Sequence, residues 1–447
     1  MSREIRVHGP VDPEHFLGRV TSGLDELLAT GERVGYCARP IRLTGLDPKV
    51  FGYPSWGTQP SVRDFRQGLF YKRCNSRRVN VCRSCSALYK YDARALIRRG
   101  LALDELHQSP RLASFFTLTA PGFGSVHRAT KDGNVCNRDR GTCHHGRPRG
   151  CALSHDRSDE LVGQALCEEC YDYDGSVIFN AMSGKLWQRS TIYLRRNLAK
   201  IANVTVRELN EHVRISYVKV IEFQRRGVVH LHGILRLDEL DESKKISLSG
   251  NDLLAAMELT FSTVYLHYEL DGGLYKLAWG EQRDIRLIDP QSVKKVTNYL
   301  AKYATKSATD TFGLDHKVRS IEEIHQAKCN PHLKRLALRA FALGRDPAFG
   351  VLRLDRWAHD LGHRGHFLTK SRHFSVTFAY LREIRRAWRR EHVSPEASSS
   401  PLGPLYWAGS GWPYPIDAQI ILAVYDERER SRELAALEVG EEVNKDG

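Results

Sequence analysis

Two alternating runs, Val213–Phe223 and Val228–Leu237, meet across Arg225-Arg226-Gly227, and this junction constrains the fold more than any other stretch. The period is two, so each run is a strand with one face toward a core and one face away. The short polar loop ending in glycine makes them an antiparallel hairpin. A three-residue loop, 225 to 227, sets Gln224 opposite Val228 and Glu222 opposite His230. A slip of one residue would turn a whole strand over and mix buried with exposed side chains. In this register Glu222, Gln224, His230 and His232 share one face, while Val229, Leu231 and Leu235 lie on the other. The apolar face can pack on helices, which leaves both imidazoles pointing into a cleft. Two imidazoles and a carboxylate, with Gln224 as an alternative oxygen donor, suit Mn²⁺ or, at lower affinity, Mg²⁺. One or two coordination positions stay open for phosphate oxygens.

Downstream, Asp289-Pro290 opens a helix, because aspartate caps a helix start and proline suits its first position. This helix carries Tyr299, Lys302 and Tyr303, with Lys306 following. Tyr299 and Tyr303 are four apart and stack on one face about one turn apart, with each lysine three residues beyond a tyrosine. A nearby ammonium favours phenolate and can also grip a phosphate. A phosphodiester polarised by a cation can then be attacked by a tyrosine oxygen.

The chain has 447 residues and a formal net charge of +14. That length fills two or three domains, and that charge favours polyanionic partners through a salt-sensitive attraction. No apolar run is long enough to span a bilayer, and Met1-Ser-Arg-Glu-Ile-Arg lacks a signal-peptide core, so a cytoplasmic protein without membrane partners is expected. There is no phosphate-binding GxxxxGK[ST] loop, so strand unwinding is expected from another protein.

Ten cysteines in a reducing compartment read as metal ligands rather than a disulfide framework. Cys82-x-x-Cys85 and Cys167-x-x-Cys170 make two knuckles that together would complete a Cys₄ zinc site. Cys143, His145, Cys151 and His155 would form a second site, with Cys74 and Cys136 as spare candidates and Cys37 and Cys329 as buried free thiols. The run from His363 to Phe374 mixes cations, hydroxyls and aromatic rings, as phosphate contact and base stacking require. Within it Lys370 and Arg372, and at the hairpin tip Arg225 and Arg226, are candidates for holding a DNA backbone. Arg385, Arg386, Arg389 and Arg390 around Trp388 form a basic helix suited to the same partner.

With these pieces in place, the chain resembles the HUH endonuclease superfamily, specifically the rolling-circle replication initiators of actinobacterial plasmids. Phe116-Thr117-Leu118-Thr119 resembles the first family motif, His230-Leu231-His232 the metal-binding motif, and Tyr299-x-x-x-Tyr303-x-x-Lys306 the nucleophile motif, in the family's order. Lys219 to His232, His145-Gly-Arg-Pro148 and Leu166 to Tyr173 are similar to these initiators as well. The resemblance spans about residues 70 to 390.

It implies an α+β fold: a ferredoxin-like HUH nuclease domain on a central antiparallel β-sheet, a zinc-binding insertion and a mostly helical C-terminal region. The expected division is 1–110 with the first cysteine knuckle, 111–310 for the nuclease domain with its insertion at 134–172, 311–394 for a basic helical DNA-binding region, and 395–447 for a Pro/Ser/Gly linker and acidic tail. The implied activity is a metal-dependent nickase and strand transferase acting on plasmid origin DNA, single-stranded at the nick. It leaves a 5′-phosphotyrosine and a free 3′-hydroxyl, with host helicase and polymerase as partners. Tyr303 matches the initiating nucleophile of single-tyrosine relatives, and Tyr299 stands where those often have glutamate. A zinc-stabilised, non-catalytic DNA-binding repressor and an HUH-type transposase are the alternatives.

Overall fold

The computed structural model describes residues 23–45, 69–101, 112–130, 134–240, 246–270, 273–305, 316–392 and 405–445. In chain order the elements are α1 (Leu24–Arg33), β1 (Ile41–Thr44), β2 (Leu69–Lys72), α2 (Arg83–Leu101), β3 (Ala113–Leu118), α3 (Tyr173–Ile201) and α4 (Val206–His212). There follow β4 (Val213–Phe223), β5 (Val229–Glu239), α5 (Gly250–Thr263), β6 (Tyr265–Leu270), β7 (Gly273–Ala278), β8 (Arg283–Leu287) and α6 (Val293–Thr305). The chain ends with α7 (Ile321–Gln326), α8 (Pro331–Leu343), β9 (Leu368–Lys370), α9 (Phe378–His392), β10 (Tyr406–Ser410) and α10 (Pro415–Lys445).

Two compact units result, Met1–Tyr91 with Ala379–Gly447, and Asp92–Phe378. They cut across the four segments expected from sequence. The terminal segments share one unit because β1 pairs with β10 as well as β2, and Ile421 of α10 is fully buried beside Leu27 and Val34 of the N-terminal segment. Part of the Pro/Ser/Gly stretch is therefore a strand, and the acidic tail belongs to a helix beginning at Pro415.

The larger unit is built on a five-stranded antiparallel sheet in the order β8-β3-β5-β4-β9. The hairpin register is the one the loop length dictates: Glu222 faces His230, and the Gln224 amide donates to the Val228 carbonyl at 2.9 Å. Gly227 adopts φ +72°, a conformation open to glycine and strained for other residues, and its place beneath Leu333, Leu336 and Leu361 leaves no room for a β-carbon.

One sheet face carries Phe116, Leu118, Leu231 and Leu235, all buried. Phe116 stacks on Trp187 of α3 at 5.2 Å and meets Phe261 of α5 at 5.9 Å, so these two helices cover that face. The opposite face carries Thr117, Glu222, His230 and His232 and receives α6. Helix α6 begins as the sequence requires: the Asp289 carboxylate accepts from the Gln291 amide at 2.9 Å, and Pro290 starts a single 3₁₀ turn that runs into the helix. Its buried side is Val296, Thr297, Leu300, Ala301 and Ala304. Among the described residues, no helix is long and apolar enough to cross a membrane.

Candidate active site and metal centres

The sheet face and α6 bring the expected groups together. His232, only 2% exposed, is opposite Thr117 in register, and its Nδ1 lies 3.0 Å from the Thr117 hydroxyl. That contact turns Nε2 toward Glu222, whose Oε2 is 3.3 Å away. His230 packs against His232 with ring centroids 4.5 Å apart, and its Nδ1 lies 3.3 Å from the Gln224 side-chain amide. Burial and the neighbouring His232 lower His230 to about 4, so it is a neutral imidazole at physiological pH, as a metal ligand must be.

Both tyrosines lie over this surface. Tyr303 stacks on His232 at 4.9 Å with planes 26° apart; Tyr299 meets the same ring edge-on at 5.2 Å and Phe115 at 5.8 Å. The two phenol rings are 4.7 Å apart. Burial and a hydrogen bond with Tyr303 hold the Tyr299 phenol above the ordinary range, so Tyr299 keeps its proton. Lys302 is exposed on α6, and Lys306 lies outside the described residues. The nitrogen–nitrogen–oxygen donor set is of a type that takes a hard or borderline divalent cation; among the described residues, the groups whose ligand atoms all lie within 4.8 Å of one another are the cysteine and histidine groups described next.

Three groups gather four ligand atoms each within 4.8 Å: Cys37, Cys74, Cys82 and Cys85; His127, Cys136, Cys151 and His155; and Cys143, His145, Cys167 and Cys170. All ten cysteines are free thiols. Each group can hold a structural metal ion such as zinc, with Cys₄, Cys₂His₂ and Cys₃His donor sets. Backbone amides already point at the sulfurs: Ala38 donates to Cys82 and Cys74 to Cys37, each at 3.3 Å, and Arg128 donates to Cys136 at 3.2 Å. Hydrogen bonding with Cys37 holds Cys82 below the usual thiol range and lowers Cys85 to about 7. His155 Nδ1 is 2.6 Å from the Asp159 carboxylate, which leaves Nε2 facing Cys151 at 3.4 Å. A carboxylate behind a histidine ligand fixes the ring in this way in many zinc sites.

The expected pairing of Cys82 and Cys85 with Cys167 and Cys170 is therefore corrected, since the two knuckles belong to different units. So is the second expected site: Cys143 and His145 join Cys167 and Cys170, while Cys151 and His155 join His127 and Cys136. Cys37, expected as a free thiol, completes the first group. Spacing identifies a knuckle, but the loops that return to it decide its partner.

The basic candidates have internal partners. Arg225 donates to the Asp159 carbonyl at 2.8 Å, and Arg226 donates to Gln224 Oε1 and to the Pro121 and Ala120 carbonyls at 2.8, 3.0 and 3.2 Å. Lys370 donates to the Ser371 and Arg372 carbonyls at 3.2 Å, while Arg372 is exposed. His363 is 2% exposed, packed on Phe223 and Phe367, which makes part of that run core.

Sequence reasoning missed Asn180. Fully buried on α3, its amide donates to the Gly227 and Leu361 carbonyls, both at 2.9 Å, and its Oδ1 accepts from Val229 at 2.8 Å, which ties down the hairpin tip. A lone asparagine in an amphipathic helix carries no signal for that role. His332 adds a second tie, donating from Nε2 to the Arg226 carbonyl at 3.2 Å.

A family model described as the replication initiator protein of pSAM2 matches residues 23–426. A replication initiator protein from Streptomyces ambofaciens is 35% identical over 385 residues, covering 81% of this chain and 80% of that protein. No solved structure matches. With the match running through both units and across the hairpin, α6 and all three cysteine and histidine groups, the chain belongs to the pSAM2-type family of plasmid replication initiators.

Proposed function

We propose that this protein is an HUH-type nickase and strand transferase that starts rolling-circle replication by cutting one strand at a plasmid origin. The observation that carries this reading is the stacking of Tyr303 on His232, on the sheet face that also holds Glu222 and His230. Glu222, His230 and His232 would hold Mg²⁺ or Mn²⁺, with Gln224 orienting His230. When bound, the cation would polarise the scissile phosphate and stabilise charge on its oxygens. Tyr303 Oη attacks phosphorus, the bond to the 3′ oxygen breaks, and that oxygen takes a proton. The products are a 5′-phosphotyrosine and a free 3′-hydroxyl. Tyr299, which keeps its proton until later, suits the second transfer that rejoins the strand. The three cysteine and histidine groups would hold structural zinc. Host helicase and polymerase would act on the opened origin, since the sequence has no nucleotide-binding loop of its own.

The test is a denaturing gel. The protein with Mn²⁺ or Mg²⁺ and single-stranded origin DNA is expected to give a covalent adduct that survives denaturant. Tyr303→Phe should reduce its rate at least a hundredfold, and Tyr299→Phe should spare the first cleavage and impair rejoining. Absence of an adduct with either metal, or an adduct that persists when both tyrosines are phenylalanine, refutes the reading and favours a DNA-binding repressor.

A further inference from the structure

A cleft of about 880 Å³ opens beside the candidate metal face, in the larger unit. One wall is the hairpin tip, Gln224 to Arg226; the other follows β3 and includes Gly122, His127 and Arg128. Gln224 is shared with the catalytic face, since its amide lies 3.3 Å from His230. The cleft therefore ends one side chain short of His230: Gln224 stands between them, and Glu222, His230, His232, Tyr299 and Tyr303 do not line it.

The lining is selective. Arg128, Arg225 and Arg226 bring three guanidinium groups against one acid, Glu281. The hydrogen-bond acceptors of all three arginines are neutral: the Cys136, Asp159, Ala120 and Pro121 carbonyls and the Gln224 side chain. Among the described residues none of the three has an ion pair within 4.0 Å, so their orientation is fixed by neutral acceptors; the Asp156 carboxyl, held low chiefly by its hydrogen bonds with Ser158, also feels Arg225 at longer range and offsets part of that one charge. The lining also includes apolar side chains, the partly exposed Pro121 and Val126 and the largely buried Val162 and Trp279. Cations for phosphates and flat apolar surface for bases are what a single-stranded nucleic acid needs. The volume is that of a small-ligand cleft, room for a few nucleotides and too little for a duplex.

The walls are locked to each other. His127 lines the cleft and is also a ligand in the Cys₂His₂ group. Asp159 holds His155 of that group through its carboxylate and Arg225 of the hairpin through its carbonyl. Gly163, at φ +96°, lets the chain pass so close that a β-carbon there would sit 2.5 Å from the Arg225 backbone.

We propose that this cleft holds the few nucleotides of single-stranded DNA adjoining the scissile phosphate, with the Cys₂His₂ metal group building its outer wall. The proposal rests on the nickase reading for the place of the cut, but the binding itself can be measured without cleavage. Gly122→Trp suits the test, because a β-carbon at Gly122 meets nothing within 4 Å. The indole would occupy the cleft without displacing a metal ligand. Fluorescence anisotropy on the full, zinc-loaded chain would use a labelled single-stranded oligothymidylate of about 16 nucleotides and its duplex with oligodeoxyadenylate.

Gly122→Trp is expected to weaken single-strand binding at least tenfold and duplex binding less than twofold, with zinc content and circular dichroism unchanged. Arg128→Gln should lower the magnitude of the log K against log salt slope by about one. Wild-type single-strand affinity in Gly122→Trp, or equal loss for the duplex, overturns the proposal. Displacement of the oligonucleotide by thymidine diphosphate at comparable affinity would make the cleft a mononucleotide site and also overturn it. Adduct formation by the wild-type protein reports separately on the nickase reading: a groove without an adduct refutes the cut and leaves the binding site standing.

Discussion

Thr117→Val tests whether the hairpin trio is a metal site or a packed set of polar side chains. Threonine and valine share a branched β-carbon and similar shape, so β3 and its pairing with β5 should survive the change. What is lost is the 3.0 Å contact between the Thr117 hydroxyl and His232 Nδ1. With the hydroxyl accepting from Nδ1–H, the lone pair of the neutral ring sits on Nε2, on the side of Glu222. Without it the proton can occupy either nitrogen, and the ring is held by its stacking and by the Glu222 contact alone. A neutral hydrogen bond is worth about 0.5–1.5 kcal/mol, and hydrogen-bond partners behind metal-ligating histidines change metal affinity or activity by about 10–100-fold. Thr117→Val is accordingly expected to raise the Mn²⁺ concentration for half-maximal adduct formation by about 10–100-fold. The rate at saturating Mn²⁺ should fall much less, and Thr117→Ser should restore the wild-type curve. Titrating Mn²⁺ against adduct yield, with denaturant unfolding alongside, separates ligand orientation from folding. A wild-type Mn²⁺ midpoint in a folded Thr117→Val protein would refute the assignment of His232 Nε2 as a ligand.

Lys219 offers a pH-dependent prediction. It is 7% exposed, lies opposite Gly233, and burial lowers it from 10.5 to about 8. Below about pH 8 the folded state carries a buried charge, a penalty of about 3 kcal/mol at 1.36 kcal/mol per unit. Between pH 8 and 10.5 the unfolded chain binds the proton that the folded chain releases, so stability from this residue rises with pH. Lys219→Met should therefore be more stable than wild type at pH 7, by up to about 3 kcal/mol, and lose that advantage by pH 10.5; urea unfolding at several pH values reads both, and a pH-independent difference refutes it. For the metal groups, elemental analysis is expected to give three zinc ions per chain, and Cys151→Ala should lower this to two while leaving the cobalt-substituted spectrum of the other two sites unchanged. Loss of metal from all three sites together would show that the groups are not independent.

The candidate catalytic face was legible because it is local. One hairpin supplies Glu222, His230 and His232, and a two-residue period with a three-residue loop leaves a single register that buries Leu231 and Leu235. One capped helix supplies Tyr299 and Tyr303 at a spacing of one turn. Neither requires knowing where distant segments go; the resemblance to known initiators supplied the chemistry. The metal groups are the opposite case. Cys37 and Cys74 reach Cys82 and Cys85 from the turns next to α1 and β2, and His127 reaches His155 across a loop whose described residues form isolated bridges rather than a regular strand. Nothing in a CxxC spacing encodes those returns.

The β6–β7 hairpin was also missed, because its strands, half exposed along their length, lack a clean apolar face. The hairpin-tip arginines illustrate the deepest limit. A sequence shows that Arg225 and Arg226 are cations, not that their donors are engaged by carbonyls of neighbouring segments. Those bonds orient the guanidinium groups and leave their charge in place. An arginine used to build a wall can thus still set the potential inside it, and for a polyanion in the cleft the two uses are the same physical fact.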